Sequence, residues 1–201
     1  MALRCLILIG VSEYFGASKL TELVLPPLDQ TPARVSPLGV PDAWYRHLLY
    51  YGLDHGAFNG AGISSEYYVP LSVGAAAIKA VLPLAAEIAT RSIGVEFRVI
   101  APDDVWMSTA NGDDSGGEPL FGLDFEWVAD EQAALPIMAK IEHALAKFKP
   151  RPHWGKLFTQ APSEYLPSYR RLNEFKRIVN ELDPSGKFRN AFMNEKIFAE
   201  F

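Results

Sequence analysis

Two strands that alternate with a period of two, set between two apolar helices, constrain this chain most. In Ile93–Ile100, Val95, Phe97 and Val99 fall on one side and Glu96 and Arg98 on the other. In Phe121–Val128, Phe121, Leu123, Phe125 and Trp127 oppose Asp124 and Glu126. Upstream, Glu66–Leu71 is aromatic and β-branched, with Pro70 suiting an end or an edge. A helix is expected over Val73–Thr90, capped by Ser72 and kinked at Pro83. A second is expected over Gln132–Phe148, opened by Asp130, with Pro136 inside it. The stretch Arg151-Pro152-His153-Trp154-Gly155-Lys156 supplies a fourth strand. The order β-α-β-β-α-β predicts an α+β, ferredoxin-like antiparallel sheet with both helices on one face. The opposite face would then gather Glu96, Arg98, Asp124 and Glu126, because the second and third strands are hairpin neighbours.

The flanks are less regular. Residues 1–63 are broken by Pro26, Pro27, Pro32, Pro37 and Pro41 and by Gly52, Gly56, Gly60 and Gly62, and are expected to pack as a layer on the 64–160 domain. The start, Met1–Gly10, is expected to be a buried strand or the exposed scar of a missing segment, and a short helix is expected over Asp42–Tyr51. Residues 161–201 form a C-terminal helical extension: a helix over Pro167–Leu182, stopped by Asp183-Pro184-Ser185-Gly186, then a tail whose Phe188, Phe192, Ile197 and Phe198 are expected to dock.

Composition excludes several classes. A net charge of -5 argues against a general nucleic-acid binder, although ten of the 19 Lys and Arg lie between Lys149 and Lys196. Cys5 is the only cysteine, so an intrachain disulfide and a cysteine-based zinc site are both excluded, and a reducing, cytoplasmic setting is expected. The apolar start Leu6–Ile9 is too short to span a membrane, and no transmembrane segment is expected elsewhere. His47, His55, His143 and His153 lack metal-ligand spacing, so no metal is assigned; no phosphate-binding glycine loop occurs.

The candidate chemistry is therefore ionic. Glu96 can accept hydroxyl hydrogen bonds while Arg98 presents a fixed cation. Asp124 and Glu126 can raise one another's pKa and act as acid and base. From spacing alone, both pairs equally describe a solvated sheet face. A buried Lys156 requires a partner.

Five blocks in order, Ser65–Pro70, Glu96-Phe97-Arg98, Asp103–Ser108, Arg151–Lys156 and Asp183–Asn190, resemble the C-terminal half of alditol (xylitol) oxidases. These belong to the D-arabinono-1,4-lactone oxidase group of the vanillyl-alcohol-oxidase-like flavoproteins. The resemblance runs from about Leu38 to Phe198. It implies a substrate (cap) domain whose open sheet face roofs the isoalloxazine ring of FAD, in an oxidase passing hydride from a sugar alcohol or aldonolactone to flavin and then to O₂. By that resemblance Arg98 and Lys156 are catalytic and face the flavin, Glu96, Asp124, Glu126 and His153 bind substrate, and Asn190 contacts the cofactor. The group carries His-Phe-Thr-Trp where this chain reads Asp124-Phe125-Glu126-Trp127, so the substrate-contact positions are acidic. Its N-terminal FAD-binding domain has no counterpart here, so the flavin is expected to come from a separate FAD-binding chain. The alternative is a catalytically silent remnant or a ligand-binding module.

Overall fold

The computed structural model describes residues 62–199 together with Glu13–Tyr14 and Ala17–Ser18. Chain contacts divide the molecule into two units, Met1–Gly60 and Ala61–Phe201. In the first, β1 (Glu13–Tyr14) and β2 (Ala17–Ser18) pair antiparallel. The strand expected within Met1–Gly10 and the helix expected over Asp42–Tyr51 lie outside the described residues.

The second unit is built on β3 (Gly62–Pro70), β4 (Ser92–Ile100), β5 (Leu120–Val128) and β6 (Arg151–Pro152), hydrogen-bonded in the order β4-β5-β3-β6. All pairings within this four-stranded sheet are antiparallel. This is the expected ferredoxin-like topology, with the hairpin strands β4 and β5 adjacent and β3 between β5 and β6. A bulge between Ser92 and Gly94 displaces the start of β4.

Between β3 and β4 the apolar run from Leu71 is interrupted. It comprises a 3₁₀ turn, α1 (Gly74–Val81), a second 3₁₀ turn at Leu82–Leu84 and α2 (Ala85–Ile88). Pro83 cannot donate to a continuous helix, and the break falls there. Ser72 makes no side-chain cap; its backbone N–H donates to Glu118 instead. A Cβ at Gly74 would lie 2.8 Å from the Phe121 ring, so a glycine lets α1 begin directly on β5. After the short α3 (Gly112–Ser115) between β4 and β5, Asp130 caps α4 (Glu131–Leu145) by accepting from the Ala133 N–H at 3.1 Å.

Helices α1 and α4 pack together on one sheet face. Tyr67, Val69, Leu123, Phe125 and Trp127 from the sheet meet Ala77, Val81, Ala134, Ile137, Met138, Ile141 and Leu145 there. Strand β4 departs from expectation. Its apolar side chains face the helices, but β4 is the sheet edge and the helices do not reach across it, so Phe97 stays 52% exposed and Val99 63%. Among the described residues one helical stretch, Leu71–Ile88, is long and apolar enough to cross a membrane by length and composition alone. Its Ala77, Val81 and Ile88 are instead packed into the sheet core.

The fourth strand is shorter than expected. Only Arg151–Pro152 pairs regularly with β3, and Trp154–Gly155 form a turn. The reason lies in His153, whose carbonyl and ring Nδ1 accept from the Lys156 and Gly155 N–H groups and turn the chain outward. Pairing resumes when the Leu157 N–H donates to the Ser64 carbonyl at 2.9 Å.

The C-terminal extension consists of α5 (Pro162–Tyr165), α6 (Leu172–Leu182) and α7 (Ala191–Lys196). Thus the helix expected over Pro167–Leu182 begins at Leu172, after a 3₁₀ turn at Leu166–Ser168. Asp183 closes it by accepting from the N–H groups of Lys187 and Phe188, both at 2.8 Å. The tail docks through Phe192 and Ile197, whereas Phe188 remains exposed.

Candidate active site on the open sheet face

Strand register lays three rows across the face opposite the helices. Glu66, Asp124 and Glu96 form one row, running β3-β5-β4. Tyr68, Gly122 and Arg98 form the next, and Ser64, Glu126 and Gly94 the third. Three adjacent carboxylates would repel one another across the strands. Two cations resolve this. Arg98 Nη1 donates to Glu66 Oε1 at 3.0 Å and Oε2 at 3.1 Å, while Nη2 reaches Glu96 at 2.8 Å and Asp124 at 2.6 Å. Lys156 Nζ donates to Asp124 Oδ1 and Oδ2 at 2.8 and 2.7 Å and lies 3.0 Å from Glu66 Oε2.

Glu66, Arg98, Asp124 and Lys156 therefore close a ring in which each buried carboxylate touches both cations. The Glu66 and Asp124 side chains have no exposed surface, whereas Arg98 keeps 42% and Glu96 61%. The planar guanidinium suits this, because its forked donors can serve three carboxylates at once. Its hydrogen bond to Glu96, followed by the charges of Glu66 and Asp124, outweighs burial and raises the Arg98 pKa still further.

The remaining groups have environments of their own. Burial, reinforced by the charge of Asp124, raises the Glu126 pKa. Burial lowers that of His153. Because His153 Nδ1 accepts from the Gly155 N–H at 2.9 Å, the neutral ring carries its proton on Nε2. The Tyr68 phenol is pushed up by burial and by Glu66 beside it, and its ring lies 6.1 Å from that of His153.

The fold thus brings Glu96, Arg98, Asp124, Glu126, His153 and Lys156 together. Asp124 is present as a counter-ion, with both oxygens already engaged. Asn190 sits elsewhere: its Oδ1 caps α7 by accepting from the Met193 N–H at 2.8 Å, and no described contact ties it to the ring. Trp154 serves packing, its indole donating to the Met107 carbonyl at 2.8 Å and meeting Tyr165 edge-on and Tyr169 at a tilt. The left-handed backbone at Met107, φ 59°, belongs to the residue whose carbonyl receives that bond. His143 is exposed on α4.

Sequence reading passed over Glu66 and Tyr68. The signal was available: Ser64, Glu66 and Tyr68 alternate with Ser65, Tyr67 and Val69. Consecutive tyrosines concealed it, because both faces of β3 present an aromatic ring. A recess of about 390 Å³ on the helical side, lined by Val81, Leu82, Ile88, Val95 and Phe97 among others, contains no charged group and offers no comparable chemistry.

The chain is similar to known proteins. The alditol oxidase of Streptomyces sp. (strain IKD472 / FERM P-14339) is 35% identical over 175 residues, covering 86% of this chain and 41% of that protein. A long-chain alcohol oxidase from an uncultured marine euryarchaeote is 33% identical over 107 residues, 51% of this chain and 22% of that protein. The L-gulono-1,4-lactone dehydrogenase of Mycobacterium tuberculosis (strain ATCC 25618 / H37Rv) is 28% identical over 134 residues, 63% of this chain and 28% of that protein. This chain spans less than half the length of these curated relatives. The family model described as D-arabinono-1,4-lactone oxidase matches residues 62–196, which include every member of the ion ring, and the chain belongs to that family.

Proposed function

We propose that the open sheet face is the substrate-binding wall of an FAD-dependent oxidase of sugar alcohols or aldonolactones, with the flavin held by a separate FAD-binding domain or chain. The closed ring of Glu66, Asp124, Arg98 and Lys156 carries this reading, because it fixes two cations on an accessible face within the family-matched segment. Names of the relatives support the substrate class: an alditol oxidase, an alcohol oxidase and an aldonolactone dehydrogenase.

The donor set fits one wall of a flavin site. Arg98 and Lys156 are pre-oriented donors that cost no reorganisation when negative charge develops beside them. When bound, FAD supplies the hydride acceptor, which O₂ reoxidises with release of peroxide. Glu96, anchored by Arg98 yet largely exposed, accepts hydroxyl hydrogen bonds and can take the hydroxyl proton. His153 donates from Nε2 to a substrate oxygen. Glu126, nearer to neutrality than an ordinary carboxylate, stands beside them on the substrate side. Asp124 acts through the two cations it holds. Among the described residues the Asn190 amide nitrogen makes no hydrogen bond, which leaves it to meet a cofactor. A cytoplasmic location is part of the proposal and follows from the single cysteine.

The test combines this chain with an FAD-binding polypeptide of the family and follows flavin absorbance and peroxide release with xylitol and with an aldonolactone. Charge-preserving variants are needed, because deleting one partner of a buried ion pair costs about 3–5 kcal/mol of stability and would confuse the result. Arg98→Lys and Lys156→Arg should each lower kcat by about 10²-fold, the scale of one misplaced donor, while the melting temperature moves by a few degrees. A colourless, inactive mixture overturns the proposal.

A further inference from the structure

Glu66 belongs to the ion ring but has been given no role of its own, and like Asp124 it is a carboxylate whose side chain has no exposed surface. Its carboxylate is fully buried and cannot touch a substrate on the exposed side. For folding alone an apolar side chain would serve better, since a buried ion pair is often matched or bettered by hydrophobic packing. Its contacts suggest what it does instead. Glu66 Oε1 holds Arg98 from β4, and Oε2 lies 3.0 Å from Lys156 in the turn after β6. These two elements are on opposite sides of β3 in a sheet ordered β4-β5-β3-β6, so the carboxylate ties together two cations that no backbone pairing connects.

Reaching Arg98 requires crossing β5, and Gly122 provides the crossing. It lies between Tyr68 and Arg98 in register. A Cβ at Gly122 would stand 3.1 Å from Glu66 Oε1 and 3.1 Å from the Tyr68 ring, closer than side chains ordinarily pack. Strand β5 has thus lost its side chain where the carboxylate of β3 and the guanidinium of β4 meet. We infer that Glu66 is a positioning residue: it sets Arg98 and Lys156 relative to each other by bridging them through the gap left by Gly122.

The bridging itself does not require a flavin; its consequence for turnover rests on the oxidase reading. It is tested on the full chain by acetylation with acetic anhydride, quantified at each lysine by mass spectrometry, with exposed Lys79 as internal reference. Glu66→Gln keeps the shape and removes the charge. Glu66→Asp keeps the charge and shortens the reach. Gly122→Ala changes no charge and crowds Glu66 Oε1. Each should raise Lys156 labelling relative to Lys79 by about tenfold; Glu66→Gln, which breaks a buried ion pair, should also lower the melting temperature, so labelling is read well below each variant's own transition. Unchanged Lys156 labelling in Glu66→Gln overturns the inference. So does wild-type protection in Glu66→Asp, which would make charge sufficient without reach. A uniform rise at all lysines with a fall in melting temperature would show a merely structural role and also overturns it. Should Glu66→Gln fail to fold, Gly122→Ala carries the same decision. If FAD-supplied wild type shows no oxidase activity while Lys156 labelling responds as expected, the proposed function fails and the bridge stands.

Discussion

Glu126 shows how one environment can turn a side chain into a cost. Burial raises its pKa first, and the neighbouring charges of Asp124 and Glu96 add to this against Lys156 and Arg98. A carboxyl that binds its proton more tightly when folded destabilises the fold as pH rises from the ordinary value of 4.5 through the raised folded value. Above that window the penalty is fully present, and below it there is none. Glu126→Gln should therefore raise the melting temperature at pH 7 and leave it unchanged near pH 4. A gain of equal size at both values would mean that shape, not charge, sets the effect. Arg98 represents the opposite case, a cation whose partners suppress its cost, so its substitution by Lys tests geometry rather than charge.

At the level of elements, the sheet and the turn after β6 hold the site jointly. Glu142 on α4 accepts from the Tyr67 hydroxyl at 2.8 Å and from the Thr159 N–H at 2.8 Å, and also bonds the Thr159 hydroxyl. It is a buried clasp joining α4, β3 and the segment that delivers Lys156. Tyr67→Phe removes one charge-assisted bond and should lower the unfolding free energy by about 1.5–3 kcal/mol in urea titration. Lys156 labelling should stay low, because the ion ring does not use the Tyr67 hydroxyl. Strand β4 needs no such clasp; its position follows from its pairing with β5, unbroken from Gly94 to Ile100.

For the second unit as a whole, the C-terminal extension is part of the core. Tyr165 donates its hydroxyl to the Lys196 carbonyl at 2.8 Å, and the rings of Phe158 and Phe192 meet edge-on at 6.4 Å. Ile197 is 9% exposed. Ile197→Ala should cost about 2–4 kcal/mol, measured by chemical denaturation, as expected for truncating a buried aliphatic side chain. A loss below about 0.5 kcal/mol would mean that the tail lies on the surface without contributing.

Periodicity by itself determined the β-α-β-β-α-β order, the antiparallel hairpin and the gathering of Glu96, Arg98, Asp124 and Glu126 on one face. It could do so because a strand's side chains alternate whatever surrounds them. The Pro83 break and the Asp130 cap were legible for the same reason: both act within a few residues of themselves. Tertiary structure alone decided the rest. Edge position left Val95, Phe97 and Val99 uncovered, and no local pattern marks a strand as an edge. The His153 turn, not a strand, delivers Lys156, because a side-chain acceptor competes with the ladder for N–H groups. Glu66 found its two cations through strand order and the missing Cβ of Gly122, which are relations between segments far apart in the chain. Alternation says which face a charge occupies; only the assembled sheet says which charges meet there.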